Sequence, residues 1–313
     1  SQRQGEAARR DNSAWTAAEE TRGPDVTALA ARPRTLKDVS ATSFALWRMC
    51  PAAWRVNSRQ RLDLSWNAAH GEAETGESVG GTGLGSVAHW LLSKWDFSDA
   101  GYLRLLGLGD GHLRPEFRSV WRDPRQKKEL ADFLAGFRTA DGEKLRERLR
   151  KAHEAGELRR EFPFRVSLGR FDLTGAVDAF WIERDGMGAP ARLCVRDYKT
   201  TRRWNSLARQ KWQDDFYAAQ LAFYAFALRR AFPEYAPLEL DLALWNLRSG
   251  AEQKLPAFSG EMEQELENAL RRMAEQAAYG PWPADRARCD GCAYARGCVF
   301  REEVWGRLPF GKA

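Results

Sequence analysis

Several kinds of segment are missing from this 313-residue sequence, and each absence narrows the reading. No apolar run approaches the roughly 18 residues that a membrane-spanning helix needs, so no membrane partner is expected. No secretory leader is visible, which makes the cytoplasm the expected compartment; the chain opens on Ser1 rather than Met, as a domain cut from a longer protein would. No internal repeat recurs, which sets solenoids aside. Cysteine is scarce: Cys50, Cys194, Cys289, Cys292 and Cys298 are all there is. An odd number with three crowded near the C-terminus does not make a disulfide framework. In an intracellular chain, Cys-x-x-Cys reads first as a metal or redox site. Nor does charge of one sign dominate. Against 43 Asp and Glu stand 49 Lys and Arg, and the net +6 suits a polyanionic partner without demanding one.

What is there suffices for a large core: 43% hydrophobic residues, with 13 Trp and 16 Phe. Residues 1–36 are polar, lack a sustained apolar stripe and read as a linker or weakly held helix. Residues 37–313 read as one domain. Ser40 or Ser43 caps a helix carrying Phe44, Trp47 and Met49, which Pro51 disrupts. After the Gly-rich stretch 76–85 comes an apolar helix over 87–95, then a helical insertion over about 96–158. Phe162, Phe164 and Val166 alternate with polar residues, as do Phe171, Leu173 and Val177, then Leu193 and Val195. These are strands. A long helix spans 207–232 and ends at Pro233; Leu240, Leu242 and Leu244 mark another strand. A last helix carries Met262, Leu266, Leu270 and Met273 and stops at Gly280-Pro281. The fold class is α/β, a central mixed sheet flanked by helices, with helical additions.

Chemistry concentrates at the strands. In Leu193-Cys-Val-Arg-Asp-Tyr-Lys199, period-two alternation puts Asp197 and Lys199 on the face of Leu193 and Val195, with Cys194 opposite as a small buried hydrophobe. In the preceding strand Val177 faces one way and Asp178 the other. A hairpin turning near Asp185-Gly186 brings Asp178 beside Asp197. Two carboxylates that can hold Mg²⁺, with a lysine beside them, suit phosphodiester hydrolysis. Asp-x-Lys alone occurs far more often as ordinary turn and surface residues.

Here the residues carry a resemblance. Gly175-Ala-Val-Asp178 followed by Val195-Arg-Asp197-Tyr-Lys199 resembles the G-x-hydrophobic-D and D-Y-K elements of the PD-(D/E)XK nucleases. Gln220-Leu-Ala-Phe-Tyr224 resembles the Q-x-x-x-Y motif of the branch holding RecB-type and AddAB-type helicase–nucleases and CRISPR-adaptation exonucleases. Gly85-Ser-Val-Ala-His89 is similar to that branch's upstream motif, and Arg160-Glu161-Phe-Pro-Phe164 to the strand opening its nuclease core. The resemblance implies a Mg²⁺- or Mn²⁺-dependent DNA nuclease of the restriction-endonuclease-like fold. It implies catalytic roles for Asp178, Asp197, Lys199, Gln220, Tyr224 and Glu161, and metal ligation by His89, Asp178, Asp197 and the Tyr198 backbone carbonyl. Residue by residue, His89 alone reads as a helix histidine among apolar neighbours, and Gln220 and Tyr224 as a half-buried helix face.

Cys289-x₂-Cys292-x₅-Cys298, with Cys50-Pro51 upstream, is a ligand set for Zn²⁺ or an iron–sulfur cluster, which spacing does not distinguish. The arrangement resembles the AddB-like iron staple, which implies a [4Fe–4S] cluster closing a long loop. Arg202, Arg203 and Trp204 follow the carboxylate strand, and Lys211 lies on the next helix. Basic residues interleaved with aromatics suit single-stranded DNA, while a charged turn is the plainer reading. The basic run 146–151 reads equally as a solvated helix face. The resemblance further implies DNA repair or recombination beside a helicase, in cis or as a partner subunit. A stand-alone exonuclease of the CRISPR-adaptation or exonuclease-V type and an idle, cluster-stabilised DNA-binding module are the alternatives.

Overall fold

The computed structural model describes residues 36–60, 83–200, 207–255 and 258–285, together with Cys289 and Cys298. The expected linker 1–35 lies outside the described residues, as do Arg202, Arg203, Trp204, Cys292 and the side chain of Lys211.

The chain begins with β1 (Asp38–Ser40), α1 (Ala41–Met49) and α2 (Pro51–Gln60), continues with α3 (Leu84–Lys94), and enters a helical stretch of α4 (Asp99–Leu106), α5 (Arg118–Arg122), α6 (Pro124–Gly136) and α7 (Ala140–Glu154). Three strands follow, β2 (Arg159–Leu168), β3 (Phe171–Arg184) and β4 (Pro190–Lys199). The chain then forms α8 (Leu207–Ala231), β5 (Glu239–Asn246), β6 (Ala251–Lys254) and α9 (Gly260–Tyr279). Helix starts follow capping chemistry. Ser40, Ser98, Thr139 and Ser259 each accept a backbone N–H from the third residue onward, and Asp123 accepts two. Pro51 opens α2 directly after Cys50 closes α1, so the expected disruption is a break between two helices. Gly280, with φ of 69°, ends α9 as expected.

β3 organises the sheet. One edge pairs antiparallel with β2 along nearly its whole length. The other is shared: β1 lies parallel along Asp172–Thr174, and β4 pairs antiparallel from Ala179 to Arg184. β4 then pairs parallel with β5 through the α8 crossover, and β6 closes the sheet antiparallel to β5. The three-residue β1 and the polar β6 (Ala-Glu-Gln-Lys) lack a run of alternating apolar residues, and the sequence predicted neither.

Two cores cover the two faces. Leu193, Val195, Leu242 and Leu244 point toward α1, α8 and α9, packing with Phe44, Phe223, Phe226 and Met273. Cys194, Tyr198, Trp181 and Trp245 point toward the helical stretch, packing with Leu91, Trp95, Phe133, Phe137 and Leu149. On β4 the alternation is the one the sequence predicts. On β2 and β3 it breaks. Phe162 and Phe164 pack on the α8 side while Arg160 donates to the Trp95 carbonyl on the other, and Val177 and Phe180 share the α8 side while Ala179 does not. Both strands therefore slip phase by one residue. They do so at Glu161 and Asp178, the one pair absent from an otherwise continuous register between Arg160↔Ala179 and Phe162↔Val177. Glu161 sits at φ of 44°, left-handed backbone that costs a non-glycine residue on the order of 1–2 kcal/mol. Period-two reasoning does not carry through Asp178.

The basic run on α7 is paired with acidic side chains. Arg146 pairs with Glu143 and Asp99, Arg150 with Glu147 and Glu154, and Lys151 with Glu147. Arg148 reaches the sheet, pairing with Glu183 at 2.7 Å and Asp241 at 2.5 Å.

Candidate metal centre

Between Thr174, the last residue paired with β1, and Ala179, the first paired with β4, the edge of β3 is open. Asp178 and Asp197 are the next positions beyond the final ladder pair, Ala179↔Arg196, so they face each other where the strands part. In place of a ladder bond, the Tyr198 N–H donates to Asp178 Oδ2 at 2.6 Å. Both aspartates are buried, at 9% and 3% exposure.

His89 enters from α3. Its Nδ1 lies 3.3 Å from both Glu161 Oε1 and Asp178 Oδ1, and its Nε2 lies 3.1 Å from the Tyr198 carbonyl oxygen. The ring meets Tyr198 edge-on, with centroids 5.9 Å apart. Among the described residues, His89, Glu161 and Asp178 form the one group of three or more histidine, cysteine or acidic side chains whose ligand atoms converge within 4.8 Å. The left-handed turn at Glu161 brings its carboxylate into that group.

On the α8 side, Lys199 Nζ lies 2.8 Å from Asp197 Oδ2, donates to Gln220 Oε1 at 3.5 Å and sits 4.6 Å over the Tyr217 ring. The buried oxygens Asp197 Oδ2 and Glu161 Oε1 meet the Lys199 ammonium at 2.8 Å and the His89 ring at 3.3 Å, ion pairs that lack hydrogen-bond alignment. Tyr224, one helical turn beyond Gln220, packs edge-on against Phe164 at 6.1 Å.

The electrostatics follow from burying like charges together. Burial alone would lower the His89 pKa, but Asp178 and Glu161 outweigh it and hold the imidazole well above its ordinary value. Burial disfavours the Asp178 carboxylate too, yet His89, Lys199 and the Tyr198 N–H hold it below the usual range. Burial, aided by the Asp178 charge and opposed by Lys199, pushes Asp197 up to about 6. Burial chiefly, with both aspartates adding, raises the Tyr224 phenol. The His89 proton and the Lys199 ammonium offset the clustered carboxylates.

The structure thus brings together His89, Glu161, Asp178, Asp197, Lys199, Gln220 and the Tyr198 carbonyl. One residue that sequence reasoning missed is Thr42, whose Oγ1 accepts from Gln220 Nε2 at 3.0 Å. Its sequence signal, a hydroxyl in the Ser-Ala-Thr-Ser run, reads as helix capping, which Ser40 already supplies. Another is Arg196, wholly buried between Asp241 at 2.9 Å and Glu252 at 2.8 Å, with its guanidinium 5.2 Å over Trp181.

At the far end of α1, Cys50 Sγ accepts from the Asp285 N–H at 3.5 Å, and Cys289 Sγ lies 3.7 Å from the Asp285 carbonyl oxygen. Cys298 is buried, and no cysteine joins a ligand-distance group among the described residues. Cys194 is buried under Arg148, which pairs with its sulfur at 3.3 Å, and burial pushes the thiol up to about 12.

Comparison with curated protein sequences finds no match. Among solved structures, the one described as the crystal structure of SSO0001 aligns over 88% of this chain and 91% of its own. Its identity is 14% and its TM-score 0.37, too distant to carry an argument. The sequence matches the PD-(D/E)XK nuclease superfamily over residues 38–299, a span that holds all six strands, α8 and the carboxylate pair. The chain belongs to the PD-(D/E)XK nuclease superfamily.

Proposed function

We propose that the chain is a metal-dependent DNA nuclease that hydrolyses phosphodiester bonds in single strands, in the manner of an exonuclease. The observation that carries this reading is Asp178 facing Asp197 where β3 and β4 part, with Lys199 2.8 Å from Asp197. The donor set fits a hard divalent cation: buried carboxylate oxygens, a carbonyl and an imidazole. Asp178, Asp197, His89 and the Tyr198 carbonyl would hold Mg²⁺ or Mn²⁺, which when bound polarises a phosphoryl oxygen and acidifies a water. Glu161 and Asp178 lie at Nδ1 of His89 and would orient the ring, so that Nε2, beside the Tyr198 carbonyl, would be its ligand atom. Lys199 offers a positive charge and a proton donor to the phosphate as its charge builds. Gln220 steadies that ammonium, and Tyr224 lines the same helix face.

On this reading Arg202, Arg203, Trp204 and Lys211 guide the strand, neutralising phosphates and stacking bases. Cys50, Cys289, Cys292 and Cys298 hold a [4Fe–4S] cluster, with Zn²⁺ the alternative. In support, the Cys50 and Cys289 thiols both contact Asp285, 235 residues from Cys50 in sequence. The setting is DNA repair or recombination in the cytoplasm, beside a helicase. The test is cleavage of end-labelled single-stranded DNA with Mg²⁺ by wild type, Asp197→Ala and Lys199→Ala. Wild type cuts and both variants lose at least about a hundredfold in rate. Equal cutting by all three would end the nuclease reading.

A further inference from the structure

Thr42 stands in the first turn of α1, immediately after β1, and is itself exposed. Its Oγ1 accepts from Gln220 Nε2 at 3.0 Å; Gln220 is 5% exposed and its Oε1 accepts from Lys199 Nζ at 3.5 Å. The chain of contacts ends on Asp197, 2.8 Å from the same ammonium. An amide presents a donor end and an acceptor end of nearly the same shape, so only its partners fix how it sits. Lys199 can only donate, and therefore selects Oε1. That single long bond leaves the amide plane free to turn about its axis, and the Thr42 hydroxyl holds the other end. Without it, a buried NH₂ loses its partner, and an amide that flips turns N–H groups toward an ammonium. Lys199 would then be repelled from its place beside Asp197.

We propose that Thr42 is a positioning residue that acts through Gln220 to fix the Lys199 ammonium beside Asp197. The catalytic consequence rests on the nuclease reading above; the positioning itself does not. Because Thr42 is exposed and lies outside both cores, its replacement removes a hydroxyl and little packing.

Thr42→Val keeps the shape and removes the acceptor, whereas Thr42→Ser keeps the acceptor. Thr42→Val lowers kcat on single-stranded DNA about five- to tenfold, the equivalent of one lost hydrogen bond, with KM unchanged and the thermal midpoint lowered by no more than about 4 °C. Thr42→Ser retains most of the rate. In ¹H–¹⁵N spectra of the full chain, the Gln220 side-chain amide peaks shift and lose exchange protection in Thr42→Val but not in Thr42→Ser. Wild-type kcat with unmoved Gln220 peaks in Thr42→Val would overturn the proposal, and so would equal impairment of the Ser and Val variants. If wild type itself does not cut, the nuclease reading fails, and the Gln220 peaks alone decide the role of Thr42.

Discussion

Asp241→Asn is the perturbation whose size the structure fixes best. Asp241 lies on β5 and is 10% exposed at its side chain, where its Oδ2 receives both Arg196 at 2.9 Å and Arg148 at 2.5 Å. Arg196 is wholly buried and immediately precedes Asp197, so the pair ties the carboxylate strand to its neighbour. Burial disfavours the carboxylate, but the Arg196 and Arg148 guanidiniums bring Asp241 from 3.8 down to about 2. A folded pKa below the unfolded one makes the contribution full above about pH 4 and erodes it as pH falls toward 2. The shift corresponds to roughly 2 kcal/mol at pH 7 and about 1 kcal/mol at pH 3. Asn keeps the volume and one acceptor but leaves two guanidiniums short of charge, which places the cost at roughly 2–3 kcal/mol. Urea unfolding of both proteins at pH 7 and pH 3 measures it. The gap between variant and wild type should be about twice as large at pH 7 as at pH 3. A cost below about 0.5 kcal/mol at pH 7, or one that does not shrink on acidification, refutes the reasoning.

Three further outcomes follow from the same structure. A Cβ at Gly142 would lie 2.0 Å from the Gly136 carbonyl oxygen and 2.8 Å from Phe137 Cα, both backbone atoms; Gly142→Ala should cost about 3 kcal/mol in chemical denaturation. Mn²⁺ must displace a proton from His89, held above its ordinary value, and below about pH 6 one from Asp197 as well, so calorimetric affinity should weaken about tenfold per unit while His89 alone is protonated and about a hundredfold per unit below pH 6. Cys50→Ser should bleach the visible absorption of the purified protein and cost on the order of 3 kcal/mol of stability through lost chain closure. A colourless wild type containing zinc would instead support the zinc alternative, since Zn²⁺ has a filled d shell.

β4, β5, the long α8 and the last helix were legible because their apolar periods are uninterrupted. β4 illustrates this: Leu193 and Val195 fix one face, so Asp197 and Lys199 fall where alternation puts them, and Cys194 packs on the other side. What escaped has a physical reason in each case. β1 and β6 take their places from partners in the sheet, not from their own three- and four-residue sequences. The phase slip at Glu161 and Asp178 depends on one left-handed residue, and nothing in the residue type Glu announces positive φ. The α7 arginines were ambiguous because their partners Glu183 and Asp241 are distant in sequence. Thr42 was invisible for the same reason, since its partner lies 178 residues away.

The account turns on whether a divalent cation sits where β3 and β4 part. Anomalous diffraction from crystals of the wild-type protein soaked in Mn²⁺ locates it directly. The account predicts one strong peak bounded by the Asp178 and Asp197 carboxylates, His89 Nε2 and the Tyr198 carbonyl, lost in Asp197→Ala. Saturating Mn²⁺ that leaves this position empty, or a peak that persists there in Asp197→Ala, would contradict it.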